Sequence, residues 1–475
     1  MRPREWIRPV VYLASNWISL IGVVLVTTGG VLWLLLLPSM LRGSATNAYL
    51  GILQFLILPI VFFTGLALIP VGIWWQRRHT ALPAAFPPVD LENPHFRRLV
   101  TFVGVTTVLN LIIGGQLVYR AVNYMDTTTF CGQTCHTVMK PEFTAYQNSP
   151  HSRVECVSCH IGPGADWFVK SKISGAWQVV AVTFNLYDRP IPVPVKNLRP
   201  ARETCEVCHW PQKFGGNRIR VIDHFSDDER AKRTETVLMM RIGGGEGFAG
   251  IHGAHMGPGV VIRYAHSDEQ RQKIPWVEYT RDGVPRIFKA DKAPADAPAG
   301  LPQRTMDCMD CHTRPSHAFE LPERAVDRAL ARGELDASLP YVRKQAVAIL
   351  KVAYRTSAEA ERAIPDSFIA FYREKYPQLY AASKARVDES AREVLALYSR
   401  NVFPEMHIQW GTYPNNIGHT DFEGCFRCHD ERKSADGKYS IPQDCSTCHS
   451  VLAMDEENPK VLSELGLVRE VAQSK

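Results

Sequence analysis

No cysteine in this chain stands alone. The 475 residues contain twelve cysteines, and each belongs to a close pair with a histidine directly after the second member. With none left over, the pattern argues against a disulfide framework or structural zinc, which have no need of that histidine. The chain also lacks a basic stripe with interleaved aromatics, so its formal charge of +6 points to no nucleic-acid partner. No small-residue cleavage site follows the first long apolar run, which reads as an uncleaved anchor rather than a signal peptide.

What is present is a repeated attachment signature. The six sites are Cys131/Cys135/His136, Cys156/Cys159/His160, Cys205/Cys208/His209, Cys308/Cys311/His312, Cys425/Cys428/His429 and Cys445/Cys448/His449. In c-type haem two thiols add to the vinyl groups and the following histidine takes an axial position on iron. One match in a long chain is weak, since zinc ribbons and redox motifs share the spacing. Six together predict a multihaem cytochrome c with six covalent haems and proximal ligands His136, His160, His209, His312, His429 and His449. The first site, CGQTCH, has three residues between its cysteines where the others have two. Haem propionates would add roughly twelve negative charges, so the apo charge is a poor guide to partners.

Three uncharged runs precede the first site: Val10–Leu37, Ala48–Trp75 and Leu99–Tyr119. Each is long enough to cross a bilayer. Arg2, Arg4 and Arg8 lie before the first run, and Arg77, Arg78, Arg97 and Arg98 lie between the second and third. The positive-inside rule puts both segments in the cytoplasm, and everything after Arg120 on the outer face, where haem c is attached. The expected location is therefore a bacterial cytoplasmic membrane, multi-pass, with a cytoplasmic N-terminus and a periplasmic haem region. Pro59 and Pro70 in the second run, and Asn110 and Gln116 in the third, read as helix-packing features.

The expected fold is a mostly α, membrane-anchored multihaem cytochrome c. Three transmembrane helices (1–121) lead to a three-haem domain (122–212). A β-rich, haem-free insertion with an Ala/Pro linker follows (213–303), then a helical C-terminal three-haem domain (304–475). Apart from its helices, the haem region is expected to have little regular structure. Trp167, Phe168, Val169, Ile173, Ala176, Trp177 and Val180 form an apolar stripe at helical spacing, with Lys170 and Lys172 on other faces. That is a core helix or, alternatively, an amphipathic helix at a membrane surface. RIRVIDHF, TETVLMMRI, GVVIRYAH, WVEYT and PRIFKA read as strands between Gly-rich turns. Helical patterning runs from His317 to about Asn401, and a short amphipathic helix lies near 459–472.

A low-spin electron-transfer haem needs a second strong ligand, usually His and sometimes Met. Eight outer-face histidines lie outside the attachment sites, enough for six haems. His151, His317 and His419 each sit within ten residues of an attachment site and are distal candidates. So are His252 and His255 in IHGAHMG, His407, and the thioether of Met139 three residues after His136. His224 and His266 read as surface or structural residues.

From Phe130 to Pro211 the chain resembles the NapC/NirT/NrfH family of membrane-anchored quinol-oxidising cytochromes c. The shared features are an anchor just before the first site, Met139, SerProHis at 149–151 and the Cys156–His160 site. Three apolar runs, the inserted segment, CMDCHTRPSHAF and GCFRCHDE resemble the larger multihaem branch. The resemblance implies oxidation of quinol from the membrane pool at the outer face. Electrons would pass to periplasmic c-type cytochromes or a reductase, in anaerobic or extracellular respiration. It also implies a quinol-site lysine after the second site, matched by Lys172 or Lys170. The acidic residue of smaller relatives has no counterpart; Trp177 and Gln178 occupy its neighbourhood, and Gln178 is the third candidate. Asp166 or Glu142 would accept protons. The expected activity is that of a quinol dehydrogenase. The alternative is a non-catalytic relay subunit of a membrane oxidoreductase. A terminal multihaem reductase is disfavoured, because there is no Cys-x-x-Cys-Lys site and histidines are plentiful.

Overall fold

The computed structural model describes residues 3–41, 57–83, 85–86, 90–125, 127–133, 136–162, 165–195, 198–210, 215–243 and 250–467. Two compact units emerge: Met1–Thr134 with Glu155–Phe184, and Cys135–Val154 with Asn185–Lys475.

The first unit is helical. The first apolar run divides into α1 (Pro3–Leu13) and α2 (Trp17–Leu41). Asn16 makes the break, its side-chain oxygen accepting from Ser19 N at 3.0 Å ahead of α2. Next is α3 (Leu58–His79), the helix among the described residues that is by itself long and apolar enough to cross a membrane. Pro59 lies in its first turn, where no partner is lost, and Pro70 lies inside it. Helices α2 and α3 pack through Gly22 and Gly65: a Cβ on either would meet the other's carbonyl oxygen at 2.7 Å. Small residues allow such close backbone approach between apolar helices, where hydrophobic driving force is weak. Ser19 adds a cross-helix bond to Ile69 O at 3.0 Å. The third run is α4 (Pro94–Leu109), one π turn (Asn110–Gly114) and α5 (Gly115–Met125). The unit is completed by α6 (Thr128–Gln133), α8 (Cys156–His160) and α9 (Ala165–Thr183). Between them in sequence, α7 (His136–Gln147) belongs to the second unit.

The second unit continues with α10 (Ala201–Cys205) and two strands, β1 (Arg218–Phe225) and β2 (Arg233–Met240). Then come α11 (Gly250–Met256), β3 (Val260–Ala265), β4 (Trp276–Arg281), β5 (Val284–Lys289) and β6 (Gln303–Thr305). Their β-branched and aromatic residues suit a pleated, half-buried surface. Asp282 and Gly283, both at positive φ, close the β4–β5 hairpin as Asp-Gly pairs do. The fourth attachment site forms α12 (Cys308–Cys311).

The expected helical stretch is four helices: α13 (Pro322–Ala331), α14 (Val342–Leu350), α15 (Ser357–Lys375) and α16 (Pro377–Asn401). They enclose one apolar cluster in which Phe368, Ile364, Leu397 and Tyr372 are fully buried.

Outside its helices the haem region is expected to have little regular structure, yet His449–Glu456 is a strand, β7. It completes a sheet of order β1-β2-β7, placing Met240 opposite His449. The other sheet runs β5-β4-β3-β6. A short α17 (Lys460–Glu464) follows; the remainder of the expected terminal helix lies outside the described residues.

Candidate haem-binding site

The attachment sites come together in pairs. In the first unit the side chains of Cys131 and Cys156 hydrogen-bond, joining the first and second sites. In the second, Cys205 hydrogen-bonds Cys308, joining the third and fourth. Burial pushes the Cys311 thiol up to about 12, and Cys425 and Cys428 of the fifth site lie near it. Cys425 in turn neighbours Cys448 of the sixth.

The two thiols of a site are not placed alike, although the sequence presents them as equivalent attachment points. Both thiol–thiol bonds use the first cysteine of each site, and the second cysteines of the second and third sites take no part in them. Cys159 is partly buried near the C-terminal end of α8, with His160 exposed beside it. It stands three residues beyond Cys156 on one helical turn, so both thiols of that site lie on the same face. Cys208 lies past the end of α10 and is exposed, its backbone N donating to Cys205 O at 3.1 Å. The sixth site repeats that turn: Cys448 N donates to Cys445 O at 3.2 Å, and Cys445 is exposed. Among the described residues no cysteine is in a disulfide, and no cluster of three or more His, Cys, Asp or Glu is arranged to hold a bare metal ion. Cys135 lies outside the described residues, as does the side chain of His136.

Four attachment-site histidines each face a histidine from elsewhere in the chain. Ring centroids are 5.9 Å apart for His209 and His151, and 6.5 Å for His312 and His252. They are 5.8 Å apart for His429 and His255, and 6.1 Å for His449 and His419. A metal–imidazole nitrogen bond is about 2 Å and the ring centroid lies about 1 Å further, so rings on opposite sides of one iron stand about 6 Å apart. The four pairs fit an iron with two axial imidazoles.

Hydrogen bonding orients the rings. Nδ1 meets a backbone carbonyl in His151 (Pro315 O, 3.3 Å), His255 (Ile251 O, 2.7 Å), His407 (Arg189 O, 3.2 Å) and His429 (Pro442 O, 2.7 Å). A proton fixed on Nδ1 leaves the Nε2 lone pair for metal, the usual second-shell arrangement for a ligating histidine. Burial lowers the basicity of His252, His255, His312 and His449, favouring the neutral ring that ligation requires.

His407 faces no attachment-site ring among the described residues. His317 Nδ1 meets Glu142 O at 2.9 Å, and Arg314 donates to the Glu142 carboxylate at 2.6 Å. Glu142 is thereby held in an ion pair with Arg314. Met139 lies in α7, one turn beyond His136. His224 is exposed beside Asp327 (Nδ1 to Oδ2 3.3 Å), and His266 meets Asp268 O at 2.8 Å.

Around the expected quinol site, α9 leaves Ile173, Trp177, Val179 and Val180 exposed, followed by exposed Phe184. Lys170 Nζ lies 4.4 Å from the centre of the Trp167 ring, a cation–π contact. Gln178 is exposed and donates to Ser174 Oγ at 3.3 Å. The side chains of Lys172 and Asp166 lie outside the described residues.

The strand ends and the short helix that carries His252 and His255 were not legible in the sequence. The one available signal was the Gly-rich IHGAHMG, with two histidines three apart.

Facing imidazoles beside paired cysteines define a c-type cytochrome, and residues 94–191 match the N-terminal region of the NapC/NirT cytochrome c family. The chain belongs to that family, whose haem is covalently bound and whose work is electron transfer. It is 39% identical over 453 residues to the cytochrome c-type protein ImcH of Geobacter sulfurreducens, an alignment covering 93% of this chain and 89% of that protein. No solved structure matches the chain.

Proposed function

We propose that this cytochrome oxidises quinol at the outer face of a bacterial cytoplasmic membrane and passes electrons to periplasmic acceptors. The observation that carries the reading is the composition of the first unit. Apolar helices α2 to α5, the bonded Cys131 and Cys156, and the apolar-faced α9 form one compact body. An attachment site therefore belongs to the same unit as the helices that would lie in lipid. Three spans, with arginine concentrated before the first and between the second and third, put the haem region outside.

Each quinol would surrender two electrons and two protons. Bound haem supplies single-electron acceptors whose potentials are set by axial ligands and burial. The chain's own part is to bind and orient. The exposed Ile173, Trp177 and Val180 of α9 offer an apolar surface to the quinol ring and tail. Lys172 is the proposed proton-handling group, with Lys170 and Gln178 of α9 as further polar candidates. The six attachment histidines and the distal candidates hold the irons, and adjacency of the third through sixth sites gives electrons a route in sequence order.

The test is anaerobic mixing of the purified, haem-loaded protein with a soluble menaquinol analogue, following haem reduction with and without a quinol-site inhibitor. Fast, inhibitor-sensitive reduction is expected, slowed at least tenfold in Lys172→Met with haem content unchanged. Reduction by dithionite but not by quinol would make the protein a relay. Normal quinol kinetics in Lys172→Met would remove that lysine from the site.

A further inference from the structure

The inserted segment between the third and fourth attachment sites carries no haem motif, yet two of its histidines face attachment-site histidines. We propose that His252 and His255 of α11 are the distal ligands of the fourth and fifth haems. On this assignment one short helix ties two haems together. The inference rests on the six-haem reading and goes beyond it.

Two facing pairs carry the argument. His252 stands 6.5 Å from His312 with the rings 12° from parallel, and His255 stands 5.8 Å from His429 at 50°. Two residues three apart on a helix lie on one face, so both rings can reach neighbouring attachment sites from the same turn. Both rings of the second pair also have Nδ1 on a carbonyl, His255 on Ile251 O and His429 on Pro442 O, which leaves the Nε2 lone pair of each for a metal.

The helix is held where this requires it. Ile251 N and His252 N donate to Arg241 O and Ile242 O, both at 2.9 Å, just beyond the end of β2. Gly250 enters the helix at φ +70, where a Cβ would sit 2.6 Å from Arg241 O. Arg241 N donates in turn to Cys448 O of the sixth site at 2.9 Å. The insertion thus serves as a ligand-donating scaffold rather than an appendage.

The experiment uses the full-length, haem-loaded protein, first counting haem per chain by pyridine haemochrome in the wild type. That count tests the six-haem reading by itself. His252→Ala, His255→Ala and the double variant are then compared by electron paramagnetic resonance and by carbon monoxide binding to the reduced protein. Each single variant should keep its covalent haem but lose about one sixth of the low-spin intensity and gain one carbon monoxide site, and the double variant should lose about one third. Added imidazole should restore the signal. His266→Ala, another insertion histidine, should leave the spectrum unchanged. Full low-spin intensity in both single variants with normal haem content would overturn the proposal. Should the alanine variants fail to fold, His255→Met keeps a ligand in place. It should then show a methionine–iron charge-transfer band and a raised potential at one haem, and their absence would likewise overturn the proposal.

Discussion

At the scale of single residues, the spacers of the attachment sites do more than separate cysteines. Arg427, one of the two residues between Cys425 and Cys428, is buried and donates to three carbonyls. These are Gly424 O at 2.8 Å, Arg271 O at 2.8 Å and Asp310 O at 2.6 Å. Asp310 is itself a spacer of the fourth site, and its carboxylate accepts from Tyr264 Oη at 2.5 Å and from Arg304 Nε at 3.2 Å. One guanidinium therefore joins two attachment sites and the insertion. Arg427→Met strands three carbonyl groups, two of them reached by buried bonds, and should cost about 2–4 kcal/mol, read as a lower thermal midpoint in detergent. Arg427→Lys should recover little of it, because an ammonium cannot span a planar fork of acceptors. Which spacers would matter was not legible in the sequence. CMDCH and CFRCH show only that two residues separate the cysteines, and the partners of Asp310 and Arg427 include residues more than forty positions away.

At the scale of elements, two helices make contrasting predictions. In α15 the ring of Phe368 is fully buried in the C-terminal helical cluster. Phe368→Ala should cost about 3–5 kcal/mol and leave the visible haem spectrum of the surviving folded protein unchanged. Gly250→Ala places a Cβ against Arg241 O at a positive-φ position and should cost only about 1–3 kcal/mol. It displaces α11, however, so the loss of low-spin haem signal should exceed that of Phe368→Ala. The helical stretch and the strands of the insertion were readable because apolar period and β-branching are local properties. The pairing of β2 with β7 was not, since Val237 and Ala453 meet across more than two hundred residues and nothing near either one signals the other. The same holds for the imidazole pairs. Each histidine could be named as a candidate from its surroundings, but its partner is a matter of topology.

At the scale of the whole molecule, charge asymmetry in the apolar N-terminal quarter of the chain makes a topological prediction. Alkaline phosphatase fused after Arg120 should be active and a fluorescent protein fused at the same point dark, while fusion between Arg78 and Arg97 should give the reverse. The opposite pattern would invert the proposed orientation. The sheet also imposes an order on assembly. On the proposed orientation, translocation would deliver β1, β2 and the two histidines of α11 before the fourth and fifth sites. The strand that covers β2 comes last, with His449 opening it. Until then β2 presents an unpaired edge, a known route to aggregation. A chain ending at Cys448 should therefore accumulate as aggregate rather than as a monodisperse five-haem protein in detergent, a difference visible by size-exclusion chromatography. Completion of the sixth site is in effect the quality check on everything exported before it.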